Sequence, residues 1–381
     1  MKNRKLILVF LALTGLCASS VFAQTATTTF DKEKVSAGLN SFATTVNTAV
    51  PDAATMQNVW SDAYIGTIYP GFKFGFGASL GGTLIDFTGF KTAADALTGG
   101  MVSAITPTVA GYTFENFNLP DKFILPTASV DLRIGGVMLP FDIGISGMVT
   151  APSFKNIDYS SPEKLASSIS NAWEWNLSNF NGSVSYTAFG VDLRYCLYEG
   201  NLVLPKISLG GGYYYINGSF AVNNSSSYED TDNSVTYTSN AAMGLSYTTN
   251  VYFANLQLSK SFGIFDVFLG GRAVYAKSTS DWSYSYKVSD SSGSYTSEES
   301  DSGTVTKDAG TLYTKDEEEG TITANINAVQ PQVYLGFGTT LGIFSCSFNI
   351  CADLGTIQTA MAASDASQFI WSGGLNMHFI F

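Results

Sequence analysis

From Gly71 to the final residue, apolar side chains recur at every second position in ten separate runs, and this alternation constrains the chain more than any other feature. A period of two means an extended strand with one apolar face. In GFKFGFGASL, Phe72, Phe74, Phe76, Ala78 and Leu80 share a face. FILPTASVDLRIGG sets Val130, Leu132 and Ile134 against Asp131 and Arg133. LPFDIGISG, FGVDLRYCLY, PKISLGGGYYY, NVYFANLQLSK, FDVFLGGRAVY, QPQVYLGFGTT and FSCSFNICADLG follow the same rule. The last run, WSGGLNMHFIF, puts Trp371, Leu375, Met377, Phe379 and Phe381 on one parity and Ser372, Gly374, Asn376 and His378 on the other. The alternation reaches the last residue, where soluble chains usually fray.

The connections decide the topology. Four are short: VMLP after the second run, YEGN after the fourth, SFGI after the sixth and LGI after the eighth. The others, near 89–122, 152–181, 220–245, 288–320 and 358–367, are long and polar. Short turns alternating with long loops are the layout of an outer-membrane barrel, with turns in the periplasm and loops outside. A soluble β-sandwich has no reason to alternate loop lengths in this way. The expected fold is therefore all-β, an antiparallel transmembrane barrel of about ten strands with a short N-terminal helical segment. Phe141, Tyr198, Phe265, Phe344, Phe379 and Phe381 fall near the turn end, and Tyr213, Tyr215, Tyr275 and Trp371 near the other boundary, as two aromatic girdles require. Pro331 removes a ladder donor, and the parity switches there from Ile322, Ala324 and Ile326 to Val333, Leu335 and Phe337, so a bulge is expected at Gln330–Pro331.

The C-terminal run resembles the signal of bacterial outer-membrane β-barrels, which ends in Phe and is read during insertion. That resemblance implies that Leu375, Met377, Phe379 and Phe381 form the insertion signal, with the barrel assembly machinery and outer-membrane lipids as partners.

Residues 1–23 have the parts of a secretory signal: basic Lys2, Arg4 and Lys5, an apolar stretch Leu6–Leu16 too short to span a bilayer, and small residues before a cleavage site after Ala23. A lipoprotein signal ending at Cys17 is the alternative, with Leu16 standing where that class wants a small residue. Without the signal, 16 basic side chains face 31 acidic ones, which argues against a nucleic-acid partner. The chain is 14% aromatic and only 13% charged, a balance that fits a wall with alternate residues in lipid. Cys196, Cys346 and Cys351 show neither even pairing nor metal-ligand spacing, and read as small apolar fillers.

Residues 24–63 differ from everything after them. Val35, Leu39, Phe42, Val46 and Val50 draw one apolar stripe on a helix. Pro51 is expected to break it, with Asp52 capping a second helical stretch through Met56, Val59, Trp60 and Ala63. The expected plan is thus a signal at 1–23, a helical plug or lead-in at 24–63 and a barrel at 64–381. A helical lead-in, a barrel and a terminal Phe together resemble the long-chain fatty acid transporter class, in which an N-terminal hatch fills the lumen. That family has more strands and an Asn-Pro-Ala hatch signature that this sequence lacks, so no ligand-binding residue carries over. Here the segment is expected to close the barrel from the periplasmic side.

On the parity facing away from lipid sit Asp131, Arg133, Asp142, Asp192, Arg194, Asp266, Arg272 and Asp353, mostly near the short turns. They read either as a layer of paired charges filling the lumen or as a selective constriction. Nothing reads as a catalytic, cofactor or metal site. His378 is the only histidine, and neither GxxxxGK[ST] nor GxSxG occurs. Asp290, Glu298, Glu299, Asp301, Asp308 and the run Asp316–Glu319 make 288–320 an acidic, solvated loop. The expected function is a non-enzymatic channel or transporter for small solutes, hydrophobic ones among them. The alternative is a surface adhesin or structural barrel working through its long acidic loops.

Overall fold

The computed structural model describes residues 31–56, 59–66, 72–105, 119–136, 140–150, 175–177, 182–230, 234–294, 296–308, 313–315, 322–324, 329–357 and 369–381. The expected signal segment and most of the stretches 152–181 and 358–367 lie outside these residues. Helix α1 (Lys32–Met56) is followed by β1 (Lys73–Asp86), α2 (Thr88–Ile105), β2 (Lys122–Gly135), β3 (Phe141–Thr150), β4 (Trp175–Leu177) and β5 (Gly182–Tyr198). Then come β6 (Lys206–Asp230), β7 (Val235–Phe262), β8 (Phe265–Asp290), β9 (Thr296–Asp308), β10 (Tyr313–Lys315) and β11 (Ile322–Ala324). The chain closes with β12 (Gln330–Leu341), β13 (Phe344–Asp353) and β14 (Trp371–Ile380).

Ten of these strands form one closed antiparallel ring: β1, β2, β3, β5, β6, β7, β8, β12, β13, β14 and back to β1. The last residue takes part, since Phe381 and Phe74 exchange two backbone hydrogen bonds of 2.8 and 3.1 Å. The alternation sorts side chains as expected. Val130 is 55% exposed and Ile143 56%, with apolar neighbours on every wall strand also outward, while the opposite parity is buried. Such a belt of exposed apolar side chains has lipid as its natural solvent. The chain is a transmembrane antiparallel β-barrel. Rings meet in outward rows at both rims: Phe141–Tyr195 at 5.0 Å and Phe344–Phe379 at 5.2 Å near the turns, Tyr213–Tyr252 at 5.1 Å and Tyr252–Tyr275 at 6.2 Å at the loop side. The tightest turns hold only Gly263–Ile264 and Gly342–Ile343, with φ of +70° and +64° at the glycines, a backbone region side chains resist.

Three expected loops are something else. Residues 220–230, 235–245, 288–290 and 296–308 continue the wall: β6, β7 and β8 run 25, 28 and 26 residues where about ten cross a membrane, and β9 pairs with the upper half of β8. Inward aromatics such as Tyr247, Trp282 and Tyr284 keep these extensions amphipathic, which is why they stay paired above the bilayer. Part of 89–122 is helix α2, packed on α1. The expected bulge at Gln330–Pro331 is absent. Pro331 is the second residue of β12, its register with β8 runs without a slip, and the β13 ladder begins only at Gln332, so the missing N–H costs little. Ile322 and Ala324 belong to the separate β10–β11 hairpin, which accounts for the parity change. The one register shift in a wall ladder among the described residues is between Cys196 and Tyr198.

Candidate functional site

Inside the ring run residues 32–56 and 59–65. Asp31 caps α1 by accepting from the Lys34 amide at 2.9 Å, at the loop-side rim where Lys32 pairs with Glu299 at 3.4 Å. The chain then descends, and Ile65 reaches the turn end, where its amide donates to Asp142 at 3.1 Å. The segment therefore runs from the loop side to the turn side, the end at which β1 begins.

The helix reads its surroundings along its length. In its upper half Val35, Leu39, Phe42 and Val46 are fully buried while Asn40, Ser41 and Thr44 are exposed. From Ala49 to Met56 every residue is buried, because the wall surrounds it on all sides. Small residues (Ala49, Ala53, Ala54) suit that confinement. Pro51 does not break the helix, which continues to Met56. A proline removes the amide that would bond the carbonyl four residues earlier, here Asn47. Ser278 of β8 donates to that carbonyl at 3.4 Å, and Ser280 to the Asn47 side chain at 2.6 Å, so the wall supplies what Pro51 withholds. Beyond Met56 the expected helical spacing at Val59, Trp60 and Ala63 is not helix but an irregular segment.

An irregular backbone at membrane depth must find partners in protein. Asn349 donates to the Met56 carbonyl at 3.3 Å, Gln257 to the Trp60 carbonyl at 2.7 Å and Arg194 to the Asp62 carbonyl at 2.9 Å. The Ala63 amide donates to Ser259 at 2.9 Å, and Lys206 reaches both the Asp62 carboxylate at 2.7 Å and the Tyr64 carbonyl at 2.8 Å. Together these wall groups make a socket.

The charged residues divide accordingly. Arg133, Asp142, Asp192 and Arg194 form one buried network. Arg133 bonds Asp142 at 2.5 Å and both Asp192 oxygens at 2.6 and 2.7 Å, while Arg194 holds Asp142 at 2.8 and 2.7 Å. Asp131 lies 3.8 Å from His378, which stacks on Trp60 at 4.0 Å, and Arg133 sits 5.7 Å over the same indole. Gly75 and Gly77 face inward here, and a Cβ on Gly75 would strike Trp60 at 2.4 Å. Asp266 accepts from Thr340 at 2.5 Å and among the described residues has no cation at ion-pair distance. Arg272 has no carboxylate at ion-pair distance among the described residues. Gln332 at 3.4 Å and the rings of Tyr334 and Phe253, at 5.0 and 5.5 Å, hold it instead. Asp353 is not part of a turn-side layer. It stands at the loop end of β13 and accepts from the Gly355 and Thr356 amides at 2.7 and 3.2 Å.

Leu375, Met377, Phe379 and Phe381 face outward at 42, 38, 38 and 62% exposure. Sequence reasoning missed Gln257, Gln332 and Asn349, although large amides at inward parity in mid-wall were the available signal. Gln332 holds the buried Asp52 carboxylate of α1 and accepts from Thr55 at 3.1 Å. Where α1, Arg133, Arg194 and Arg272 meet, a cavity of about 20 Å³ is left, room for about one water.

The lumen's outer half is apolar. Phe42 of α1 meets Phe87, Phe90 and Phe220 at 4.8, 4.7 and 5.3 Å, and α2 lies on α1 where Gly38 and Gly89 let the backbones touch.

No family model matches the chain, and no curated protein does. Among solved structures it is similar to the outer membrane protease OmpT from Escherichia coli, at 10% identity over 81% of this chain and 95% of that one, with a TM-score of 0.34. It is also similar to a major outer membrane protein from Thermus thermophilus, at 9% identity over 81% and 99% with a TM-score of 0.27. A Pseudomonas aeruginosa FadL homologue is a third, at 7% identity over 81% and 90% with a TM-score of 0.25. All three neighbours are outer-membrane β-barrels.

Proposed function

We propose that this barrel is a gated channel of the bacterial outer membrane, reached after cleavage of residues 1–23, and that residues 32–65 are its gate. One observation carries the reading: a separate stretch of chain runs the length of the lumen, packed among the wall's inward side chains. Five inward positions on β1 and β14 are small (Gly75, Gly77, Ser79, Ser372, Gly374), and withdrawing the segment vacates a volume about as wide as the helix it held, roughly 10 Å. The contacts to its irregular end are hydrogen bonds that water can replace. The aromatic outer half favours small apolar solutes over sugars or ions. No step of this function uses catalysis, and the partners are the assembly machinery that reads the C-terminal strand and the lipid around the belt.

Deleting residues 32–56 behind an intact signal tests this. The variant should still fold as a heat-modifiable barrel and should conduct in a planar bilayer far more than the full chain. A folded variant that conducts no better would end the channel reading.

The runner-up is a surface barrel acting through its projecting parts, supported by the height of β6–β9. It gives no increase in conductance on deletion.

A further inference from the structure

We infer that the outward face of the β6–β9 extension is a binding surface for the sugar chains of lipopolysaccharide; this rests on the outer-membrane placement above. Below the Tyr213–Tyr252–Tyr275 row the outward face of the wall is apolar. Above it the chemistry changes abruptly. From Asn217 to Glu229 on β6, from Asn250 to Thr236 on β7, from Lys277 to Ser289 on β8 and from Asp308 to Thr296 on β9, the outward parity carries only Ser, Thr, Asn, Ala, Gly and a few charges. No large apolar side chain interrupts it. The inward parity of β6, β7 and β8 carries Phe220, Tyr237, Tyr247, Trp282 and Tyr284, so the outward pattern is not a general drift towards polarity.

Position identifies the occupant. Val235 lies seventeen residues above Tyr252, which places the top of the sheet roughly 40 Å beyond the girdle at ordinary barrel tilt. A wall embedded in lipid meets, directly above the hydrocarbon, the head groups of the same leaflet, which in the outer leaflet are sugars. The sheet's twist hollows this face into a concavity of about 930 Å³ between β6 and β9. Asn223, Asn240, Ser225, Ser285 and Ser300 present amides and hydroxyls there, and Ser225 donates to the Asn240 side-chain oxygen at 2.7 Å, which leaves the Asn240 amide hydrogens to a ligand. The one cation in the hollow, Lys287, faces Glu298 at 3.6 Å, so the site has no net positive charge to select phosphate. A protein partner would want exposed aromatic or aliphatic anchors, and the outward parity has none, the one ring at the hollow, Tyr286, being buried. Neutral sugars, rich in hydroxyls, fit it.

The test uses the purified full-length barrel in detergent, with polysaccharide released from smooth lipopolysaccharide by mild acid as the probe. The wild type should retain it, and Ser285→Tyr, which sets a ring into the hollow, and the double variant Asn223→Ala/Asn240→Ala should each bind at least about tenfold more weakly while keeping heat-modifiable migration. Equal binding by wild type and both variants overturns the proposal, as does retention of lipid A vesicles without retention of the polysaccharide. A barrel that fractionates with the outer membrane yet binds no polysaccharide loses this surface only. One absent from that fraction loses the placement as well.

Discussion

At the scale of single residues, Arg133 is where the wall is most exposed to damage. It is the ion-pair partner of Asp192 and one of two guanidinium partners of Asp142, with 2% of its side chain exposed. Breaking a buried pair leaves a carboxylate without its partner and costs about 3–5 kcal/mol. Lys287 and Glu298 are paired too, but at 56 and 69% exposure water screens them, and such pairs contribute at most about 1 kcal/mol. Arg133→Ala should therefore lower the urea midpoint of the detergent-solubilised barrel well below that of Lys287→Ala. Arg272→Ala should fall between, since it loses ring contacts and an amide but strands no paired carboxylate. Equal midpoints for Arg133→Ala and Lys287→Ala would mean that the network is solvated. Alternation alone placed Arg133, Asp142, Asp192 and Arg194 inside, because parity is a local property of a strand. It did not say which charges meet, since that depends on strand tilt and on what fills the bore. Asp353 shows the limit: its parity was right, but its neighbours Gly355 and Thr356 turn it into a cap.

At the scale of elements, the crossing of α1 and α2 depends on two glycines. A Cβ on Gly38 would lie 2.7 Å from the Gly89 carbonyl and 2.8 Å from the Ala93 amide, both backbone atoms that cannot swing aside. Gly38→Val should lift α2 from α1, at about 1–3 kcal/mol. Trypsin cleavage at Lys91, now tied to Asp121 at 2.7 Å, should then quicken on the folded barrel, with the rest of the wall unchanged. Unchanged cleavage would show that the helices do not need this contact. The stripe Val35–Val50 was readable because helical spacing needs only the local chain. That Pro51 would be tolerated was not readable, since Ser278 lies far off in sequence and only the closed ring brings it to Asn47. The β6–β9 extensions were hidden for a related reason: their outward face is as polar as a loop, and composition outweighed the aromatic residues on alternate positions.

At the scale of the whole molecule, sidedness follows from where the lumen segment begins and ends. Cysteine at Ser292, in the β8–β9 connection, and at Glu33, on the first turn of α1, should both react with an impermeant reagent on intact cells lacking the native cysteines. Cysteine at Leu202, 96% exposed in the β5–β6 turn, should react only once the outer membrane is opened. Glu33 reacting with Leu202 instead of with Ser292 would reverse the threading. The ring also sets an order in time. Its seam joins β1 to β14, so the wall cannot close until Phe381 has been made and has found Phe74, the pairing of greatest sequence separation and therefore among the slowest to form. The socket for residues 32–65 draws on β3, β5, β6, β7, β8, β12 and β13, so it is complete only when that ring closes. Seam and seat are therefore finished in one event, and the gate finds its full set of partners only as the barrel seals.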